Sequence, residues 1–289
     1  MSFKDTFFSK IRSLNCGGKL LDLSIPKVMG VLNVTPDSFY DGGKYYSSDK
    51  IIDQVNKMIE DGADIIDIGG ISTRPGSQSI SEEEELKRII PAIKLVREFH
   101  PETIISVDTY RSGIARHVVD DYGVEMINDI SGGELDNRMF DTIAALKIPY
   151  IIMHMRGNPG NMQTLTDYDD IIKDMISYFA NKTEYLIKLG VSDLIVDPGF
   201  GFSKTTEQNF HLLNHLDTFQ LFELPLMVGL SRKSMVYKTL QTSPDMVLNG
   251  TTVLHTIALM KGANLLRVHD VKEAVEAITL CEKLKTSIP

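Results

Sequence analysis

The stretch Asp64-Ile65-Ile66-Asp67-Ile68-Gly69-Gly70, followed by a helical pattern over residues 82–98, decides the fold. Its core is a short, nearly continuous apolar run without sustained polar alternation, the pattern of a parallel strand covered on both faces. In the segment that follows, Leu86, Ile89, Ile90, Ile93 and Val96 form one apolar stripe at helical spacing. Ser81 and Glu84 make a capping box before that helix, and Pro91 predicts a kink inside it. Strand, glycine-rich connection and helix together are one βα unit.

The unit recurs along the whole chain. Strands are expected at residues 28–32, 64–68, 104–107, 125–127, 150–153, 194–196, 226–230 and 265–268. Polar residues close them in turn: Asn33, Asp67, Asp108, Asn128, His154, Asp197, Ser231 and Arg267. Successive closing residues lie 20 to 43 positions apart, about one βα unit each. Eight such units in 289 residues predict an α/β fold, a (β/α)8 TIM barrel forming a single domain over residues 27–289. Residues 1–26 are expected to be a short N-terminal extension closing the barrel bottom. An open doubly wound sheet competes, but no Gly-x-Gly-x-x-Gly opens the first helix. Ser243-Pro244 and the pair Asp270 with Glu273 mark the starts of two late helices.

Composition narrows the function. With 43% apolar and 24% charged residues the chain is ordinary globular protein, neither disordered nor fibrous. A net charge of −9 disfavours nucleic-acid binding, which relies on a basic face, yet leaves room for a local cationic pocket for a small anion. No apolar run approaches the roughly 18 residues of a membrane span. Residues 1–15 alternate Phe with Lys, Asp and Arg, so no signal peptide is expected, and two cysteines, Cys16 and Cys281, suit a reducing cytoplasm.

A barrel carries its active site at the C-terminal ends of its strands. Seven of the eight closing positions there hold Asn, Asp, His or Arg, which together describe a ligand site, whereas any one alone would be a helix cap or loop contact. The connections after the first two strands, residues 33–43 and 69–77, are long and rich in Gly, Ser and Pro, as functional lids are. The stretch Asp197-Pro198-Gly199-Phe200-Gly201-Phe202 is expected to bring backbone close to a ligand. Arg232 and Lys233 are expected to face the mouth together, and Arg267 with His269 suits a diphosphate. No zinc spacing, Walker loop or nucleophile elbow is present, which leaves chemistry by positioning and electrostatics.

At residues 33–43, 67–77, 106–109, 128–130, 153–155, 197–202, 231–234 and 267–271, the chain resembles the dihydropteroate synthase family, with all eight motifs in the family's order. The resemblance implies condensation of (7,8-dihydropterin-6-yl)methyl diphosphate with 4-aminobenzoate in folate biosynthesis. It implies a pterin site made by Asp108, Asn128, Met153, Asp197, Phe202 and Lys233. It implies a diphosphate site of Asn33, Thr73, Arg267 and His269, with Asn33 also a ligand of Mg2+. Phe39, Thr73, Arg74, Pro75, Lys233 and Ser234 would shape the aminobenzoate slot, with Asp197, Lys233, Arg267 and His269 carrying the catalysis. Sulfonamides as competing ligands and a homodimer are implied as well. The chain departs from the family at Ile71, where Glu is more usual.

Three rivals explain less. A methyltetrahydrofolate-binding methyltransferase barrel would share the pterin carboxylates but has no use for Thr73-Arg74-Pro75 or Arg267-Val268-His269. A non-catalytic pterin binder would be expected to lack one of Asn33, Asp197, Lys233 or Arg267. A sugar-phosphate isomerase barrel needs a catalytic Glu/His pair that the sequence does not offer.

Overall fold

In a computed structural model, which describes residues 13–35, 48–71 and 80–287, eight parallel strands form a nearly closed barrel. They are β3 (Lys27–Asn33), β4 (Ile65–Gly69), β5 (Ile104–Asp108), β6 (Met126–Asp129), β7 (Tyr150–Met153), β8 (Leu194–Asp197), β9 (Met227–Val228) and β10 (Leu265–Val268). Pairing runs β8-β7-β6-β5-β4-β3-β10-β9, and a parallel bridge from Val196 to Leu226 brings the two ends together. The helices described between and after them are α1 (Ser48–Glu60), α2 (Glu82–Phe99), α3 (Ser112–Tyr122), α4 (Met139–Leu146), α5 (Ile171–Lys188), α6 (Thr206–Asn214), α7 (Ser234–Thr239), α8 (Leu248–Met260) and α9 (Val271–Thr286). None of the described helices is long and apolar enough to cross a membrane.

The period of two along each strand explains the inside and the outside. Val28, Ile66, Ile105, Ile127, Ile152, Val196, Val228 and Leu266 turn outward into one large core with the helices. The alternate residues Met29, Ile65, Ile104, Met126, Ile151, Ile195, Met227 and Leu265 fill the barrel axis as a separate apolar layer. Two residues further along, the same inward parity delivers Asp67, Ser106, Asn128, Met153, Asp197 and Arg267, and another step delivers Asn33 and Asp108. The axis is thus dry at one end and polar at the other.

Against the dry end lies an antiparallel hairpin of β1 (Ser13–Cys16) and β2 (Lys19–Asp22), turned by Gly17 and Gly18, both at positive φ. Leu14, Cys16 and Leu21, with Leu23 just beyond, pack onto the bottom layer of the axis.

Local capping departs from expectation in three places. Helix α2, which runs from Glu82 through Pro91 to Phe99, starts with half of the expected capping box: Ser81 Oγ accepts the Glu84 N–H at 3.1 Å, but the Glu84 carboxylate accepts from Arg88 Nε at 2.9 Å instead of from the Ser81 N–H. Asp270 precedes α9 without capping it, because Arg232 takes both its carboxylate oxygens, at 3.0 and 2.6 Å. Ser243-Pro244 opens only a single 3-10 turn (Pro244–Met246), and α8 starts at Leu248 with no side-chain cap. Strand β9 keeps two of its five expected residues.

Candidate active site

The polar end of the axis gathers side chains that are far apart in sequence. Arg267, on β10, donates from Nε to Asp67 Oδ2 and from Nη2 to Asp108 Oδ2, both at 2.7 Å. Asp67 is fully buried, and the same Oδ2 accepts from Asn128 Nδ2 at 3.1 Å. Asn128 therefore turns its amide oxygen away from Asp67. Burial lowers the Arg267 pKa, but the charges of Asp67 and Asp108 outweigh it and hold the guanidinium above the ordinary arginine value. Burial pushes Asp108 the other way, upward, against the pull of Arg267 and with the help of Asp67.

Across the mouth, Asp197 ends β8 nearly buried and accepts the Gly199 N–H at 2.8 Å. Burial raises its pKa, opposed by that hydrogen bond and by Lys233. The Lys233 ammonium donates to the Phe200 carbonyl and sits 4.3 Å above the Phe202 ring. Loss of water pushes Lys233 down to about 8, against the attraction of Asp197. Met153 and half-buried Phe202 belong to one apolar wall with Ile130, Met155, Met162 and Tyr110. Ser234 opens the short helix α7 directly after Lys233.

His269, past the end of β10, is fixed by Ser231: Oγ accepts the His269 N–H at 3.2 Å and lies 3.1 Å from Nδ1. Its ring keeps an exposed edge, but enclosure under the rim and then Arg267 and Arg232 push its pKa down to about 4. The imidazole is neutral at pH 7.

The structure thus brings Asn33, Asp108, Asn128, Met153, Asp197, Phe202, Lys233, Ser234, Arg267 and His269 to one end of the barrel. Phe39, Thr73, Arg74 and Pro75 lie outside the described residues. Four expectations change. His154 is not part of the mouth: it follows inward Met153, so parity turns it outward, buried at 3% exposure against Tyr178, Tyr168 and Phe179. There it forms part of a separate cavity of about 680 Å³ shared with Arg156, Asp174 and Asn181. Arg232 does not stand beside Lys233 facing the ligand, since Asp270 holds it. The described mouth is not a positive pocket either, because Asp67, Asp108 and Asp197 stand against Lys233 and Arg267. Finally, Gly199 and Gly201 are needed for protein packing on the side a Cβ would occupy. A Cβ on Gly199 would lie 2.2 Å from the His154 carbonyl oxygen, and one on Gly201 would lie 2.9 Å from Lys233 Cδ.

Sequence reading missed Asp67 as the group that orients Asn128 and Arg267, and Ser231 as the partner of His269. Strand parity carried the signal for Asp67, which lies two residues above Ile65 of the axial layer.

A metal would find little protein here. Among the described residues no three His, Cys, Asp or Glu side chains converge on one point. Asn33 ends β3 half-buried, and Gly69 keeps the space beside it clear: a Cβ there would lie 3.5 Å from Asn33 Oδ1 and 3.6 Å from Asp108 Cβ. One amide oxygen beside such a space fits Mg2+ held mainly by phosphate oxygens and water.

Comparison with known proteins agrees with this geometry. Residues 29–269 match the family model described as pterin binding enzyme. The dihydropteroate synthase of Escherichia coli K12 is 43% identical over 267 residues, 92% of this chain and 94% of that protein. The Yersinia pestis dihydropteroate synthase, solved with a sulfonamide drug complex, superposes with a TM-score of 0.89 at 41% identity, over 95% of this chain and all of that one. The Xanthomonas albilineans dihydropteroate synthase, solved with 4-aminobenzoic acid, gives a TM-score of 0.88 at 36% identity over 96% and 99% of the two chains. With the fold, the polar mouth and these likenesses in agreement, the chain belongs to the dihydropteroate synthase family of pterin binding enzymes.

Proposed function

We propose that this chain is a transferase that joins (7,8-dihydropterin-6-yl)methyl diphosphate to 4-aminobenzoate, giving 7,8-dihydropteroate and diphosphate. The observation that carries this reading is the mouth itself. A carboxylate (Asp197), an amide oxygen (Asn128) and an ammonium (Lys233) stand at one end of the axis beside the apolar faces of Met153 and Phe202. A flat heterocycle with two adjacent N–H donors and a ring carbonyl is complementary to that set: Asp197 and Asn128 accept, Lys233 donates. Asp108 serves the remaining ring nitrogens.

Arg267 and His269 hold the diphosphate. Only Nε and Nη2 of Arg267 are taken by Asp67 and Asp108, and a guanidinium has five N–H donors. Mg2+, with Asn33 as its protein ligand, would supply charge neutralisation for the diphosphate. The reaction is read as dissociative. The C–O bond of the methylene breaks with its electron pair leaving on diphosphate, and the electron-rich ring stabilises the cation at the exocyclic carbon. The neutral arylamine nitrogen then forms the new C–N bond and releases a proton, so no strong general base is required. Ser234 receives the aminobenzoate carboxylate, with Phe39, Thr73, Arg74 and Pro75 completing that slot.

Sulfonamides, which resemble the arylamine, compete for the same slot. A second copy of the chain covers the outer face of α8. The two cysteines are free and buried, which suits a reducing cytoplasm. Incubating the protein with the pterin diphosphate and Mg2+, with and without 4-aminobenzoate, tests the reading. Aminobenzoate-dependent formation of pteroate and diphosphate is expected, and its absence overturns the assignment.

A further inference from the structure

Behind the pterin wall lies a lysine that the proposed chemistry does not use. Lys204 is 4% exposed, and among the described residues its hydrogen-bond contacts contain no carboxylate. Its Nζ donates to the carbonyls of Gly199 and Phe202, each at 3.0 Å, and approaches His154 Nδ1 at 3.1 Å and the His154 carbonyl at 3.4 Å. A buried ammonium without a paired carboxylate is costly. Burial accordingly pushes the amine down to about 7, against the pull of Asp197. The group is held there for its donors rather than for its charge.

Those donors act on a loop with little regular structure of its own. Between β8 and α6, Gly199, Gly201 and Ser203 all stand at positive φ, and no repeating backbone ladder fixes the turns. Lys204 binds the 199 and 202 carbonyls from behind, while Lys233 binds the 200 carbonyl from the mouth. Two lysines therefore clamp one loop from opposite sides. The loop presents the Phe202 ring beneath the Lys233 ammonium, and the His154 contact ties it to the end of β7 next to Met153.

We propose that Lys204 is a positioning residue that sets the slot between Met153 and Phe202, and so governs affinity for the pterin more than for the arylamine. The inference rests on the function proposed above. Removing the donors frees the 202 carbonyl and leaves the 199 carbonyl to the Phe202 N–H at 3.2 Å, so the Phe202 ring shifts with the loosened turn. Lys233, which also lines the aminobenzoate slot, keeps its own contact with the Phe200 carbonyl, so the arylamine site is the less affected.

The test compares wild type with Lys204→Met, which keeps most of the stem and loses every donor. KM for the pterin diphosphate is expected to rise ten-fold or more while KM for 4-aminobenzoate stays within three-fold. The Kd of a free pterin, read by calorimetry, should weaken in parallel. The Met153 methyl resonance in methyl-labelled protein, assigned with Met153→Leu, should also shift. A folded variant with pterin KM and Kd within three-fold of wild type overturns the proposal. So does an equal rise in both KM values accompanying a loss of thermal stability. If Lys204→Met does not accumulate in folded form, Lys204→Gln, with two donors on a shorter arm, is held to the same split. The Kd measurement needs no turnover, so a wild type that binds pterin but makes no pteroate would overturn the function and leave this inference to be judged by binding alone.

Discussion

Arg267 bridges a buried carboxylate and a largely buried one that lie 200 and 159 residues away in sequence, and this doubles the consequence of losing it. Truncation strands Asp67 and Asp108 without their counter-ion, which in comparable buried pairs costs about 3–5 kcal/mol. It also removes a donor from the leaving group, a loss of roughly 10²–10³ in kcat for preorganised donors of this kind. Arg267→Ala is therefore expected to lower both the melting temperature and turnover. Arg267→Lys should recover part of the stability with little of the rate, since an ammonium lacks the planar fork that reaches both acids. Turnover of Arg267→Ala within a few-fold of wild type would remove Arg267 from the chemistry. Lys233 carries a pH prediction. Its pKa stands at about 8, so the ammonium dominates below that value and is lost above it. If it donates to the pterin carbonyl, kcat/KM for the pterin substrate should fall as pH rises through about 8. Lys233→Met should lower the plateau and remove that limb, and a wild-type profile flat to pH 9 would contradict the role. His269 behaves in the opposite sense: with a pKa near 4 it is neutral throughout this range, and its ring NMR signals in the free protein should not titrate between pH 5.5 and 8.

The loop from Asp197 to Thr205 shows at the level of one element what residue type alone does not tell. Its glycines were read as leaving backbone open to ligand, whereas Gly199 packs against the backbone just past β7 and Gly201 against the Lys233 stem. Gly199→Ala combines a left-handed backbone, φ 70, with a 2.2 Å approach to an oxygen that cannot swing aside. Strain and overpacking together are expected to cost about 3 kcal/mol or more, a fall of roughly 6–12 °C in melting temperature. Gly229→Ala is the control: among the described residues nothing lies within 4 Å of its Cβ position, and its melting temperature should stay within about 2 °C of wild type. The same contrast runs through the fold. The eight strands were legible because an apolar run closed by a polar residue is set by local burial on both faces. The inward set Asn33, Asp67, Asp108, Asn128, Asp197 and Arg267 was legible through parity, and His154 was misplaced because its chemistry was weighed ahead of its parity. What stayed hidden depends on partners distant in the chain. Asp270 carries a capping signal yet is claimed by Arg232, 38 positions earlier, and the lysine clamp on the 199 and 202 carbonyls leaves no trace in spacing.

On the scale of the whole molecule, charge and apolar surface are distributed unevenly. Among the described residues the net charge of −9 does not reverse at the mouth, where three carboxylates face two cations, so its favourable charges for an anion are the local ones of Arg267 and Lys233 rather than a general positive field. The apolar surface is more telling on α8. One face of this helix, Thr251, Leu254, His255, Ala258 and Leu259, is buried toward the barrel. Its other face carries Val253, Ile257 and Met260 at 50%, 38% and 54% exposure, at i, i+4 and i+7. Leu280 and Leu284 on neighbouring α9 add 71% and 53%. A helix apolar on both faces is the pattern of a buried helix, and an isolated barrel buries only one of them. A second copy related by a two-fold axis would cover the stripe with the same stripe, as a self-complementary apolar patch requires. Sedimentation at micromolar concentration should give the mass of two chains. Val253→Glu with Ile257→Glu, which places like charges against each other across that axis, should give the mass of one with an unchanged far-UV spectrum. Because the exposed stripe lies on the outside of the barrel wall, the separated variant should keep its affinity for a free pterin. A wild type that sediments as a single chain would leave the outer face of α8 to some other occupant.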